Sequence, residues 1–130
     1  MEDQYIHPDT YLKHLLVVTS TIAKHGRAVI VGRGANFILP ADDIFSVRVI
    51  APMEMRVRNV ALEYRATTEE AKRRVIRRES RRKAFIRHSF NADITDPIHY
   101  NMTINTGKMG IAAAVEAVIA AVMATLVDNP

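Results

Sequence analysis

Apolar positions along the chain form segments with helical spacing and segments with short unbroken runs. Residues 9–25 carry apolar side chains three and four positions apart, which predicts a helix. Residues 28–31 form a short unbroken apolar run that is rich in β-branched residues, and residues 46–51 and 102–105 look like two further strands. Such runs are typical of strands that are buried on both faces of a parallel sheet. The order of these segments therefore predicts an α/β fold.

The segment between the second and third predicted strands has a mostly helical pattern. Thr67 is suited to cap a helix whose Glu70 reaches back from three positions further on, which is the arrangement of a capping box. Pro97 marks a loop after this helix. We predict one domain over residues 1–130, in which residues from about 56 to 92 form a helical insertion.

The last predicted helix is strongly apolar. Glu116 is the one charged side chain in residues 111–127, and Gly107 and Gly110 separate this segment from the third predicted strand. The segment lies at the short limit for crossing about 30 Å of hydrocarbon. We therefore expect a buried helix in a soluble protein, with no membrane contact.

Composition narrows the class of protein. A chain of 130 residues with 48% hydrophobic and 25% charged residues is typical of one globular domain. The absence of cysteine excludes disulfides and thiolate metal sites, and it fits a reducing, cytoplasmic location. No signal peptide is visible at residues 1–4. No metal site is expected, because the histidines lack ligand spacing and four aspartates fit polar loops: Asp42, Asp43, Asp93 and Asp96.

Positive charge is concentrated in one segment. The net charge is +4, and 12 of the 18 Lys and Arg residues lie between Arg56 and Arg87. Four arginines are spaced to share one helix face: Arg74, Arg78, Arg81 and Arg82. Like charges this close repel one another, and a bound anion would relieve the repulsion. A solvated charged face is the plainer alternative, but arginine's planar fork matches phosphate and favours phosphate contact.

A turn with two glycines follows the first predicted strand. It consists of Gly32, Arg33, Gly34, Ala35 and Asn36. In α/β folds, ligands bind beyond the carboxyl ends of strands, where this turn is expected to lie. The glycines permit a sharp turn, and the Arg33 guanidinium is suited to phosphate or carboxylate. A tight turn with its arginine in solvent would have the same sequence, so both interpretations stay open.

No phosphate-binding loop for ATP is visible. Thr106, Gly107 and Lys108 lie between a predicted strand and a predicted helix, as such a loop would. The motif, however, needs glycine where Met102 stands and Ser or Thr where Met109 stands. With five glycines in the whole chain, no other segment supplies a glycine-rich cradle. We therefore predict that this chain holds no ATP site.

Several motifs follow one another in a fixed order along the chain. They are residues 29–40, 47–52, 54–56, Glu70-Ala71, 78–82, Asp96-Pro97 with Tyr100, and 104–107. Together they resemble the cytidylate kinase-like family over roughly residues 10–125. The resemblance implies a partial P-loop-kinase-like three-layer fold with a short parallel sheet and an arginine-rich helical lid.

The resemblance also implies roles for individual residues. Arg33 would hold the acceptor phosphate, and Arg78 and Arg81 would be the catalytic arginines of the lid. A second set would contact the substrate: Gly32, Gly34, Asn36, Arg74 and Arg82. The implied acceptor is a nucleoside monophosphate, namely CMP, dCMP or UMP.

The chain departs from the family pattern at three positions. Gly34 replaces an aspartate that helps to read the cytosine nucleotide in the family. Arg82 stands where an aspartate is expected, and Phe85 stands where an arginine is expected. The resemblance therefore carries over phosphate contact and leaves the acceptor base open.

The function implied by the resemblance is transfer of a phosphoryl group from ATP to a nucleoside monophosphate, with Mg²⁺. Because the ATP loop is missing, we expect no turnover by this chain alone. One alternative is a non-catalytic module that binds nucleotide, RNA or protein; another is a homo-oligomer that covers its own sheet edges. Four Tyr and four Phe offer few stacking platforms, which makes nucleic acid the less favoured partner.

Overall fold

A computed structural model describes residues 8–25, 28–32 and 34–128 of the chain. The elements are α1 (Pro8–His25), α2 (Ala35–Ile38), β1 (Val47–Ile50), α3 (Met53–Tyr64), α4 (Thr68–Phe90), β2 (Met102–Asn105) and α5 (Thr106–Asp128). Short 3-10 turns lie at Ala41–Asp43 and Pro97–His99. The predicted α/β class, with helices and a short parallel sheet, is confirmed.

β1 and β2 form a two-stranded parallel sheet. Their register pairs Ile50 with Asn105, so the carboxyl ends of both strands lie at the same edge. At the other edge, the Ser46 N–H donates to Asn101 Oδ1 at 2.7 Å, and the Asn101 N–H donates to the Ser46 carbonyl at 2.8 Å. Parallel neighbours need a long crossover, which α3 and α4 supply.

The predicted strand at residues 28–31 is wrong. These residues form no strand, and Val29 and Val31 are 94% and 85% exposed. A strand persists when its N–H and C=O groups find ladder partners. Among the described residues, β1 and β2 pair with each other and leave the 28–31 segment without a ladder.

The described residues group into two compact units. One unit contains the residues up to Ile44 together with Arg82–His99, and the other contains Phe45–Arg81 together with the residues from Tyr100 onwards. Helix α4 contributes to both units. The prediction of a single domain over residues 1–130 stays a prediction.

The first unit is built around aromatic contacts between α2 and the end of α4. Ala35 is buried at the start of α2, and Ile86 on α4 is 1% exposed. Phe37 stacks on Phe90 with 5.5 Å between ring centroids, and Phe85 meets Phe90 edge to face at 6.2 Å. These rings fix α2 against the last turns of α4.

The second unit contains a helical hairpin of α3 and α4 with its own small core. Its buried residues are Val57, Ala71 and Val75, with Met53, Val60 and Ala61 packed against them. Helix α3 ends at Tyr64, and the next residue, Arg65, caps it in a left-handed conformation (φ 51°, ψ 43°). The predicted capping box is confirmed: the Glu70 N–H donates to Thr67 Oγ1 at 3.2 Å, and the Thr67 N–H donates to Glu70 Oε2 at 3.4 Å.

The predicted burial of the last helix is wrong. By length and composition, Thr106–Leu126 of α5 would be able to cross a membrane, as would many core helices, yet only 6% of it is buried. Ala114 is buried, whereas a stripe of larger side chains is exposed: Ile111, Val115, Ile119, Met123 and Leu126. Two strands about 4.8 Å apart offer a narrow surface and cover one strip of a helix. The apolar sequence indicated a helix that packs against other elements, but the described residues bury only a small part of it.

Candidate functional site

The arginines of α4 meet an aromatic side chain from the end of α3. The guanidinium carbon of Arg74 lies 4.2 Å from the centroid of the Tyr64 ring. Arg78, one helical turn further along α4, donates from Nη2 to Tyr64 Oη at 3.4 Å. The structure thus brings two of the predicted site residues onto one tyrosine, which contacts both without neutralising either charge.

The carboxylate next to Arg78 in sequence, Glu79, is paired with another arginine. Glu79 Oε2 lies 3.4 Å from Arg56 Nη1 of α3. Arg56 is fixed in turn, because its Nε donates to the Ala51 carbonyl at 3.0 Å. No described carboxylate forms an ion pair with Arg74 or Arg78. The hairpin therefore presents uncompensated positive charge to solvent.

The remaining predicted lid arginines are exposed on the same helix. Arg81 is in the last turn that belongs to the second unit, and Arg82 is the first residue of α4 in the other unit. At about 100° per residue, Arg78 and Arg81 lie within about 40° of Arg74 around the helix axis. The predicted shared face is thus present for these three arginines of the second unit, while the catalytic and substrate-binding roles of the lid arginines stay predictions.

The predicted glycine turn lies in the first unit. Gly32 and Gly34 both adopt left-handed conformations, with φ of 72° and 69°. Gly34 also makes a close approach, since a Cβ there would lie 3.0 Å from Ile86 Cδ1 and 3.2 Å from Phe90 Cε2. Arg33, the predicted acceptor-phosphate residue, lies outside the described residues. For Gly34, the described contacts are with apolar side chains.

Asn36 holds a neighbouring loop. Its Nδ2 donates to the carbonyl oxygen of His99 at 3.3 Å, and the His99 ring lies 4.9 Å from the ring of Phe37. One amide hydrogen of Asn36 is therefore used within the first unit, and its predicted contact with substrate stays a prediction.

The departure from the family pattern at Phe85 has a packing explanation. Its ring is half-buried, meets Phe90 and lies 3.8 Å from the position of a Cβ on Gly34. An arginine here would place a charge among these aromatic and aliphatic groups, which costs free energy unless it is paired.

Asp93 and Asp96 cap turns in the loop after α4. Asp93 Oδ1 accepts hydrogen bonds from the Thr95 N–H at 2.9 Å and from Thr95 Oγ1 at 2.7 Å. These hydrogen bonds hold the pKa of Asp93 below its usual value of 3.8. Asp96 Oδ1 accepts from the Ile98 N–H at 3.1 Å. No group of three His, Asp or Glu that could hold a metal ion occurs within the described ranges.

The segment that resembles a phosphate-binding loop forms the start of α5. Two of its polar groups are hydrogen-bonded within the protein. The Gly107 N–H donates to Asn105 Oδ1 at 3.0 Å, and Thr106 Oγ1 donates to the Ile50 carbonyl at 3.4 Å. A Cβ on Gly107 would lie 2.3 Å from Pro52 Cδ, so the backbone is pressed against the start of α3. These residues fit neither the triphosphate of ATP nor its Mg²⁺, because the Gly107 amide is engaged and the space beside it is filled.

Comparison with known proteins gives a consistent picture. The model of the cytidylate kinase-like family matches residues 2–108. A cytidylate kinase from Pyrococcus horikoshii is 32% identical over 100 residues, which cover 75% of this chain and 52% of that protein. A cytidylate kinase from Methanocaldococcus jannaschii is 27% identical over 104 residues, covering 78% of this chain and 58% of that protein. The chain thus spans about half the length of these curated relatives. No solved structure gives a significant match.

Sequence reasoning missed one residue of the site, Tyr64. The arginine spacing on α4 predicted a shared face, but a contact from α3 depends on how the two helices pack. The position of Tyr64 just before the turn into α4 is the signal that could have indicated it, since a hairpin brings its corner residues close to the first turns of the second helix.

Proposed function

We infer that this chain, which belongs to the cytidylate kinase-like family, is the acceptor-binding and lid part of a nucleoside monophosphate kinase. In a complete enzyme of this kind, ATP donates a phosphoryl group to a nucleoside monophosphate, and positioned cations stabilise the charge on the group in transfer. The acceptor is proposed to be a pyrimidine nucleotide, CMP, dCMP or UMP, in the cytoplasm.

The uncompensated arginines of α4 are the observation that carries this proposal. Arg78 and Arg81 would contact the transferring phosphoryl group, with Arg74 and Arg82 as helpers and Arg33 on the acceptor phosphate. Guanidinium groups bind phosphate through paired, charge-assisted hydrogen bonds. Because Glu79 is paired with Arg56, it does not compete with phosphate for Arg78.

ATP and Mg²⁺ are assigned to the complete kinase and not to this chain. The start of α5 does not fit a triphosphate, and the sequence offers no other loop of that kind. We therefore propose that the chain binds a monophosphate and does not turn over by itself. Detectable ATP-dependent phosphorylation of CMP by the purified chain would contradict this part of the proposal.

Isothermal titration of the purified chain tests the proposal directly. CMP, dCMP, UMP and ATP are titrated at two salt concentrations, and binding of a monophosphate that weakens with salt is expected. Arg78→Ala and Arg81→Ala should each lower the affinity by about tenfold or more, since a hydrogen bond to a charged group contributes about 1.5–3 kcal/mol.

Lys72→Ala is the matched control for these variants. Lys72 is an exposed cation of the same helix, and it lies at least about 120° around the axis from each of Arg74, Arg78 and Arg81. It removes the same charge and should change the affinity less than twofold. Equal losses in all three variants would indicate nonspecific attraction, and absence of monophosphate binding would refute the proposal.

The exposed stripe of α5 favours a second candidate, a protein-binding or self-associating module. Five large apolar side chains from Ile111 to Leu126 face solvent, and apolar surface of this kind marks association sites. Sedimentation that depends on concentration, without any nucleotide-induced change, would favour this function over the kinase part.

A further inference from the structure

We propose that Tyr64 is a positioning residue for phosphate binding, which holds the guanidinium groups of Arg74 and Arg78 so that both face one anion. This role rests on the proposed function, because it concerns the same arginines. It adds a residue from outside the arginine-rich helix, and it assigns that residue a task distinct from contact with the nucleotide.

The side chains of Arg74 and Arg78 need a common contact to stay close together. Arg74 and Arg78 are four residues apart on α4, so their Cβ atoms are about 6 Å apart and their charges repel each other. Long side chains in this situation diverge into solvent. Tyr64 opposes the divergence, since the Arg74 guanidinium lies over its ring at 4.2 Å and Arg78 donates to its hydroxyl at 3.4 Å.

The chemistry of tyrosine suits this task better than that of a carboxylate. An Asp or Glu at the same position would also attract both arginines, but it would neutralise charge and compete with phosphate. A tyrosine offers a negative ring face and a neutral acceptor oxygen, so both cations keep their full charge for a ligand. Glu79, the carboxylate nearest in sequence to Arg78, is bound by Arg56.

Tyr64 is itself held in place by the end of α3. It is the last residue of that helix, and the left-handed residue Arg65 turns the chain immediately after it. The Ala66 N–H donates to the Ala61 carbonyl at 3.0 Å, and Thr67 caps α4. Tyr64 is 43% exposed, so a ligand can reach the arginines that contact it.

Two variants separate the ring from the hydroxyl. Tyr64→Phe keeps the ring under Arg74 and removes the acceptor for Arg78, and it should weaken CMP binding about two- to threefold. Tyr64→Leu removes both contacts and should weaken it about three- to tenfold, because the ligand must then order two free side chains. Leu62→Ala is the matched control, since Leu62 lies on the same helix, is 74% exposed and should leave the affinity unchanged.

The geometry is checked without any nucleotide. In the free protein, the aromatic ring current should shift the side-chain NMR signals of Arg74 away from those of the other exposed arginines. That shift should persist in Tyr64→Phe and vanish in Tyr64→Leu. A wild-type Arg74 signal at the position of the other arginines would refute the role, whatever the nucleotide binding.

A double-mutant comparison decides whether Tyr64 acts through the arginines. In the Arg74→Ala/Arg78→Ala background, Tyr64→Leu should cause no further loss of CMP affinity, because a positioning residue has nothing left to position. A full additional loss would mean that Tyr64 contacts the nucleotide itself, and would overturn the role. Unchanged CMP binding in single Tyr64→Leu would refute the role alone, whereas absence of CMP binding in the wild type would refute the proposed function first.

Discussion

Replacement of Gly34 by alanine should destabilise the first unit through two separate effects. The residue has φ 69°, a left-handed conformation that costs an L-residue about 1–2 kcal/mol. Its new Cβ would also lie 3.0 Å from Ile86 Cδ1 and 3.2 Å from Phe90 Cε2. Ile86 is 1% exposed and has little room to yield, so overpacking adds about 1–3 kcal/mol.

Gly32 isolates the first of these effects. It has φ 72°, and a Cβ there would meet nothing within 4 Å. Both substitutions also reduce the freedom of the unfolded chain, which offsets about 0.4–1 kcal/mol. Gly32→Ala should therefore cost about 1 kcal/mol of unfolding free energy, and Gly34→Ala about 2–4 kcal/mol.

Urea unfolding followed by far-UV circular dichroism measures the difference. With a slope of about 2 kcal/mol per molar urea, the two variants should differ in midpoint by about 0.5–1.5 M. Hydrogen exchange at the α4 amides near Ile86 should show the larger loss of protection in Gly34→Ala. Equal midpoints for the two variants would refute the close contact between Gly34 and α4.

Three further tests concern other parts of the fold. Thr67→Ala removes the oxygen that caps α4 and should cost about 1 kcal/mol in urea unfolding; an unchanged midpoint would contradict the capping box. Asp93→Asn tests a pH effect: because hydrogen bonds from Thr95 lower the folded pKa, the stabilisation is present above the unfolded value of 3.8 and is lost as pH falls through the lower folded value. Thermal unfolding from pH 5 to 2 should therefore show less acid destabilisation in Asp93→Asn than in the wild type, and identical profiles would contradict it. Val115→Asp, on the exposed stripe of α5, should change stability by less than about 0.5 kcal/mol, while its neighbour Ala114→Asp should cost several times more in the same urea assay; equal losses would mean that the stripe is covered.

Local signals in the sequence predicted helix α1 and the start of α4. The capping box at Thr67 and Glu70 depends on residues three positions apart, so it can be read without knowing the rest of the fold. The parallel strands β1 and β2 were also predicted, because both segments are short and contain β-branched residues.

Signals that depend on distant partners were less informative. The run at 28–31 has the composition of a buried strand, yet strand formation needs a neighbour that composition cannot specify. The apolar sequence of α5 likewise shows that the helix tends to be covered, but not whether this chain covers it. Tyr64 was missed for the same reason, since its partners lie 10 and 14 positions away on another helix.

The contacts of the candidate site are independent of the exposed apolar surface of α5. The α3–α4 hairpin has its own core of Val57, Ala71 and Val75, and a capping box begins its second helix. The contacts that orient Arg74 and Arg78 come from within this hairpin, whereas the exposed apolar side chains lie on a different helix. Binding of a monophosphate by this chain therefore tests the hairpin itself. A missing turnover, in contrast, would follow from the proposed lack of an ATP site in this chain, even if every contact at Tyr64 were intact.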